Sequence, residues 1–213
     1  MEKCTDLLEF IYQSASPFHC VEQIKKVLTQ ANFQELSLSA TWNVQAGKKY
    51  YVTKNESSIF AFIAGMEPIS ENGCRIISAH SDSPTLKIKP LPEFIHQGKY
   101  IKLHTEVYGS PILMSWLDRP LSVAGRVALK SDNPFKPESR LVNIETPIAI
   151  IPNLAIHLNR GVNDGVELKK HIDILPLLGT VTESMEKDNF LLTSIAKKLS
   201  ITIEEILDFD LNL

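Results

Sequence analysis

The N-terminal part of the chain has a helical pattern of hydrophobic and polar positions. Apolar residues recur every three or four positions from Asp6 to Ser14, which predicts a first amphipathic helix. Ser16 followed by Pro17 is typical of an N-cap and a first helical position, so a second helix is predicted from there to Asn32.

The pattern then changes to that of β-strands. A turn-forming cluster at 54–57 separates two extended segments, 49–53 and 58–63, and predicts a hairpin. The apolar run Arg75–Ala79 predicts a short buried strand that stops at His80. Strict alternation over Tyr100–Tyr108 predicts a half-buried strand. Further strands are predicted at 121–129, 147–151 and 154–158.

The C-terminal part returns to a helical pattern. Asn189–Leu199 predicts one helix, and a second is predicted after Thr202 because Glu205 follows at capping-box spacing. Prolines become frequent from Pro90 onward, where the pattern turns mostly β. The chain is therefore predicted to be an α/β protein whose second, β-rich part starts near Pro90.

Composition narrows the class of protein. The 213 residues are 44% hydrophobic and 22% charged, with a net charge of −3, which is ordinary for a globular protein. No basic stripe predicts nucleic-acid binding, and no apolar run predicts a signal peptide or membrane span. Three scattered cysteines fit a reducing compartment, so the cytoplasm is the expected location.

Two histidines are candidates for chemistry. His80 stands at the end of a predicted buried strand, with Asp82 two residues later. A neutral imidazole can bind zinc, and a nearby carboxylate can accept its other ring proton. The alternative is a loop histidine beside an Asx-turn. His157 lies on the polar face of the predicted strand 154–158, where an ordinary surface histidine is the alternative.

Several motifs occur in order along the whole chain, and together they resemble the M18 family of metallo-aminopeptidases, the aspartyl aminopeptidase group. The motifs are Asp6–Ile11, Ser16-Pro17-Phe18-His19, Ala79-His80-Ser81-Asp82-Ser83-Pro84, Trp116-Leu117-Asp118-Arg119-Pro120-Leu121, Ala124–Val127, Ile151–Arg160 and Glu205–Leu211.

The resemblance implies a domain organisation. Residues 1–90 would be the first part of a mixed-sheet zinc-peptidase catalytic domain. Residues 91–200 would be an inserted, β-rich dimerisation domain, and residues 201–213 would begin the return to the catalytic domain.

The resemblance also implies an activity, namely removal of N-terminal, often acidic, residues from peptides at a two-zinc centre. His80 would be a zinc ligand and Asp82 a catalytic-site residue that orients it. His157 would be a metal-linked histidine that reaches a neighbouring subunit's active site. Manganese or cobalt could replace zinc at such nitrogen and oxygen sites. A homo-oligomer built from dimers is expected.

Length is the main departure from this family. Its members are about twice as long as this chain, and their remaining metal ligands lie beyond the matched region. The expectation is a truncated chain that is inactive alone. The alternatives are a non-catalytic assembly module derived from the family and an unrelated β-rich binding domain.

Overall fold

The computed structural model describes residues 2–181 and 189–213. The chain forms two compact units, one ending at Ser83 and the other beginning at Pro84. This boundary lies a few residues before Pro90, where the sequence pattern changes.

The first unit combines helices with a small sheet, as the local sequence patterns predict. The elements are α1 (Glu2–Gln13), α2 (Pro17–Gln30), β1 (Gln34–Glu35), β2 (Lys49–Lys54), β3 (Ser58–Ile63) and α3 (Ile69–Asn72). Strand β1 runs parallel to β2, and β2 pairs with β3 as an antiparallel hairpin. The two predicted N-terminal helices and the predicted hairpin are confirmed.

The start of α2 is fixed by its predicted cap. Ser16 is buried in an extended conformation, and its Oγ accepts a hydrogen bond from the His19 backbone N–H at 3.4 Å. The same Oγ lies 2.7 Å from the His19 Nδ1. Burial, and secondarily the nearby Lys26, lowers the pKa of the His19 imidazole.

The predicted strand at Arg75–Ala79 is wrong. This segment has no regular secondary structure, and Ile77 is 99% exposed. An apolar run forms a strand only where another strand supplies hydrogen-bond partners for its backbone. Among the described residues, no strand pairs with 75–79, so the apolar pattern alone does not produce a strand.

Among the described residues, the second unit is built on an eight-stranded antiparallel sheet. Its elements are β4 (Thr85–His96), β5 (Tyr100–Tyr108), β6 (Pro120–Leu121), β7 (Ala124–Leu129), β8 (Glu138–Asn143), β9 (Ala149–Ile150), β10 (Leu177–Thr180), α4 (Phe190–Leu199) and β11 (Ile206–Asn212). The strand order is β6-β9-β10-β5-β4-β11-β7-β8.

One face of this sheet forms the core of the unit with α4. Ile101, Leu103 and Thr105 of β5 are buried in alternation, which confirms the predicted half-buried strand. Leu103 belongs to the same apolar cluster as Leu191 and Ile195 of α4. The helix therefore covers the apolar face of the sheet.

The opposite face carries charges of alternating sign across four strands. Glu106 on β5 is opposite Lys87 on β4, and Asp210 on β11 is opposite Arg126 on β7. Lys87 Nζ lies 3.1 Å from Asp210 Oδ1, which joins the two pairs. Opposite charges on neighbouring strands favour this register.

Three further strand predictions need correction. The predicted strand 154–158 is wrong: residues 154 and 155 have no regular secondary structure, and 156–158 form a turn in which the Leu158 N–H donates to the Ala155 oxygen. The predicted strand 147–151 is reduced to β9. The predicted strand 121–129 is divided into β6 and β7, which pair with different neighbours.

The predicted helix after Thr202 is also wrong, although its capping box is present. The Thr202 N–H donates to Glu205 Oε2 at 2.7 Å, and this bond lowers the pKa of the Glu205 carboxyl. Only a 3₁₀ turn, Ile203–Glu205, is formed before β11 begins. Pairing with β7 and β4 overrides the local helical signal, and it places residues 206–212 in the sheet of the second unit.

Close approach of β7 to β11 requires a glycine at position 125. A Cβ built there would overlap the Asp210 carbonyl oxygen and would lie 2.9 Å from the Leu211 Cα. Both contacts are with backbone, which cannot rotate out of the way as a side chain can.

We expect Gly125→Ala to lower the free energy of unfolding by about 1–3 kcal/mol or more, because the strands must separate. Urea unfolding followed by circular dichroism measures this change. Gly161→Ala is the matched control, since nothing lies within 4 Å of a Cβ at that position. Equal effects of the two substitutions would contradict the steric argument.

The N-terminus of α4 is capped by a residue far away in the sequence. Asn189, at the N-cap position, makes no side-chain capping bond. Instead, the Glu93 carboxylate on β4 accepts hydrogen bonds from the Phe190 N–H at 3.1 Å and the Leu191 N–H at 2.5 Å. A carboxylate at a helix N-terminus also interacts favourably with the helix dipole.

We expect Glu93→Ala to lower the free energy of unfolding by about 1–2 kcal/mol, because two helix N–H groups lose their acceptor. Glu93→Gln keeps one acceptor oxygen and should lose less. Urea unfolding measures both variants. Glu167, which is exposed, provides the control Glu167→Ala, and a loss of similar size there would argue against the capping role.

Candidate functional site

His80 lies in an exposed loop of the first unit with its ring held by Asp82. The His80 Nδ1 is 2.7 Å from the Asp82 backbone oxygen and 3.2 Å from Asp82 Oδ1. Both partners are hydrogen-bond acceptors, so Nδ1 carries the proton in the neutral ring. The lone pair is then on Nε2, and the side chain is 81% exposed. This tautomer suits an Nε2 metal ligand.

The loop that carries His80 is attached to the β2–β3 hairpin. Ser81 Oγ donates a hydrogen bond to the Ser57 backbone oxygen at 3.1 Å. Ser57 immediately precedes β3, so this bond connects the loop to the small sheet of the unit. The local contact between His80 and Asp82 agrees with the predicted orienting role of Asp82, which stays a prediction.

His157 is in the second unit, on an exposed turn. The turn is closed by hydrogen bonds from the N–H groups of Leu158 and Asn159 to the Ala155 oxygen, at 2.8 and 3.2 Å. The neighbouring apolar side chains Leu154 and Leu158 are also exposed. The metal-linked role of His157 likewise stays a prediction.

The loop at 116–120 contacts the start of the segment that carries His157. Asp118 has a left-handed backbone (φ 59°), and its N–H donates to the Ile151 oxygen at 2.9 Å. Its Oδ1 accepts a hydrogen bond from the Asn153 N–H at 2.9 Å. Sequence reasoning missed this contact, because nothing in the pattern indicates that residues 35 positions apart meet.

The described residues do not assemble a complete metal site. In residues 2–181 and 189–213, no group of three or more His, Cys, Asp or Glu side chains is placed to hold a metal ion. His80 Nε2, with its exposed lone pair, fits zinc as one such ligand. A zinc centre of the hydrolytic type needs about three protein ligands.

A cavity of about 600 Å³ lies elsewhere, on the charged face of the second unit's sheet. Lys87, Glu106, Arg126 and Asp210 line it, together with residues at the start of β8. None of the three predicted site residues contributes to it. The cavity therefore belongs to the charged face rather than to the candidate metal site.

Residues 10–213 match a known protein family over nearly the whole chain. The match is to the sequence model of the family described as aminopeptidase I zinc metalloprotease (M18). The chain belongs to the M18 family. A probable M18 family aminopeptidase 2 from Clostridium novyi is 55% identical over 206 residues, covering 97% of this chain and 48% of the relative. One from Clostridium acetobutylicum is 46% identical, covering 99% and 49%.

Solved structures agree with the M18 assignment. A chain in a cryo-EM structure of the Ape4 and Nbr1 complex is 33% identical, with a TM-score of 0.89, and the match covers 98% of this chain and 43% of that one. The mApe1 dodecamer from S. cerevisiae is 26% identical with a TM-score of 0.78, covering 98% and 47%. This M18 chain thus spans about half the length of the relatives that it matches.

No helix among the described residues of this M18 chain is long and apolar enough to cross a membrane.

Proposed function

We propose that this chain contributes to a zinc-dependent aminopeptidase that removes N-terminal residues, including acidic ones, from peptides. The observation that carries the proposal is the His80–Asp82 contact in a chain of the M18 family. The contact leaves Nε2 available as a ligand in an exposed position. No comparison supports the alternative of a non-catalytic assembly module.

Each candidate residue has a separate part in the proposal. His80 would hold zinc through Nε2, and Asp82 would keep the proton on Nδ1 and fix the ring orientation. Bound zinc would lower the pKa of water and polarise a peptide carbonyl. His157 would act at the active site of a neighbouring subunit, which its exposed position permits. Manganese or cobalt could occupy the same nitrogen and oxygen donors.

The isolated chain is proposed to be inactive. Within the part of the chain that the structure describes, His80 is one ligand and no third donor joins it and Asp82. A single imidazole on an exposed loop cannot hold a hydrolytic zinc ion tightly.

The aminopeptidase proposal can be tested in a chimera, where this chain replaces the matching stretch of the Clostridium novyi relative. We expect the chimera to hydrolyse Asp- or Leu-peptides with added zinc, manganese or cobalt. His80→Ala should lower kcat/KM by at least about 100-fold, because a metal ligand is lost, and Asp82→Asn by about 10- to 100-fold.

The unmodified relative is the positive control in this assay, and His96→Ala, an exposed histidine of the second unit, is the matched histidine control. The 213-residue chain assayed alone should show no turnover. Full activity of the His80→Ala chimera would refute the ligand role, and turnover with stoichiometric zinc by the chain alone would refute the proposed inactivity.

A homo-oligomer built from dimers is proposed as the assembly, with residues 91–200 in the dimer contact. The support is the dodecameric state named for the S. cerevisiae mApe1 structure, which this chain resembles over 98% of its length.

The free cysteines Cys4, Cys20 and Cys74 fit a proposed location in the reducing cytoplasm.

We expect sedimentation velocity of the purified chain to show dimers or multiples of dimers as concentration rises. The reason is that a dimer contact within one domain does not need the rest of a longer chain. A single species at the monomer mass of 23.9 kDa across the concentration range would count against this assembly.

A further inference from the structure

We propose that Asp118 is a positioning residue that holds the backbone from which the His157 turn projects. This inference deepens the proposed function and rests on it for the role of His157. Its structural part is the contact of Asp118 with the segment 151–154 of the second unit, which we call the clamp. The clamp is argued from contacts of the described residues alone.

The clamp has an apolar base. Ile151 is 1% exposed and belongs to the core cluster that also contains Leu121 and Ile174. Trp116 and Leu117, just before Asp118, pack against the same cluster. Both loops therefore leave the core at neighbouring points, and each becomes largely exposed within the next three residues.

Asp118 joins the two loops with two hydrogen bonds of opposite direction. Its N–H donates to the Ile151 oxygen, and its Oδ1 accepts from the Asn153 N–H, both at 2.9 Å. Asn153 Oδ1 in turn accepts from the Leu154 N–H at 2.8 Å. The chain is thus fixed from Ile151 to Leu154, and the turn at 155–159 starts at the next residue.

The left-handed backbone of Asp118 makes this arrangement specific for a few residue types. Asp, Asn and Gly adopt a φ of about +60° most readily, whereas Ala is strained there. Only Asp and Asn also place an acceptor oxygen at the Oδ1 position. Asn should therefore keep the clamp, Gly should keep the backbone but lose the acceptor, and Ala should lose both.

Hydrogen–deuterium exchange of the 213-residue chain tests the clamp. In Asp118→Gly and Asp118→Ala, we expect the Asn153 amide to exchange at least about tenfold faster, because its side-chain acceptor oxygen is gone. In Asp118→Asn, exchange should stay within about threefold of the original chain. Amides of β7, such as Val127, should be unchanged in Asp118→Gly, which separates local release from global unfolding.

A second readout reports on His157 itself. Its ring Cε1–H resonance, assigned by its loss in His157→Ala, should shift in Asp118→Gly and return to its original position in Asp118→Asn. Unchanged Asn153 exchange in Asp118→Gly would overturn the clamp. So would equal release in Asp118→Asn and Asp118→Gly.

The chimera with the Clostridium novyi relative separates the clamp from the proposed function. There, Asp118→Gly should lower kcat/KM by about 10- to 100-fold through displacement of His157, and Asp118→Asn should restore most of it. If His157→Ala leaves the chimera fully active, the catalytic part of the inference fails together with the proposed role of His157. The hydrogen–deuterium exchange measurements still decide whether Asp118 holds the segment 151–154.

Discussion

The second unit depends on strand β11 lying between β4 and β7 in its sheet. β11 pairs with β7 along its length and with β4 at Asn212, and Leu211 is fully buried in the core beneath α4. Gly125 permits this contact, because any side chain there would meet the β11 backbone. The charged face, the apolar core and the position of α4 all depend on these pairings.

Sequence patterns succeeded where structure is decided locally. The N-cap at Ser16 and Pro17 and the alternation of 100–108 each depend on residues that are neighbours in the chain, and both predictions are confirmed. The wrong predictions, at 75–79, 154–158 and after Thr202, concern segments whose state depends on distant partners. An apolar run without a pairing strand stays irregular, and a capping box beside a pairing strand gives only one turn.

The same distinction between local and distant contacts applies to the candidate site. His80 and Asp82 are two residues apart, so their contact arises from local geometry and could be anticipated. Asp118 and Asn153 meet only because the core brings their loops together, and no spacing rule indicates it. The M18 assignment agrees with the zinc chemistry that the sequence suggests, whereas the described residues assemble no group of three or more donors for a metal ion.

The place of β11 in the sheet also constrains the order in which the chain can fold. β4 and β5 form one antiparallel pair and β7 and β8 another, and both are complete by residue 143. Within the described sheet, β11 is the strand that joins these two pairs, and it comes more than sixty residues later. At synthesis rates of about 5–20 residues per second, the two hairpins remain unjoined for several seconds. Each has an apolar face that α4 has yet to cover and an edge that β11 has yet to pair, and chaperones act during such intervals.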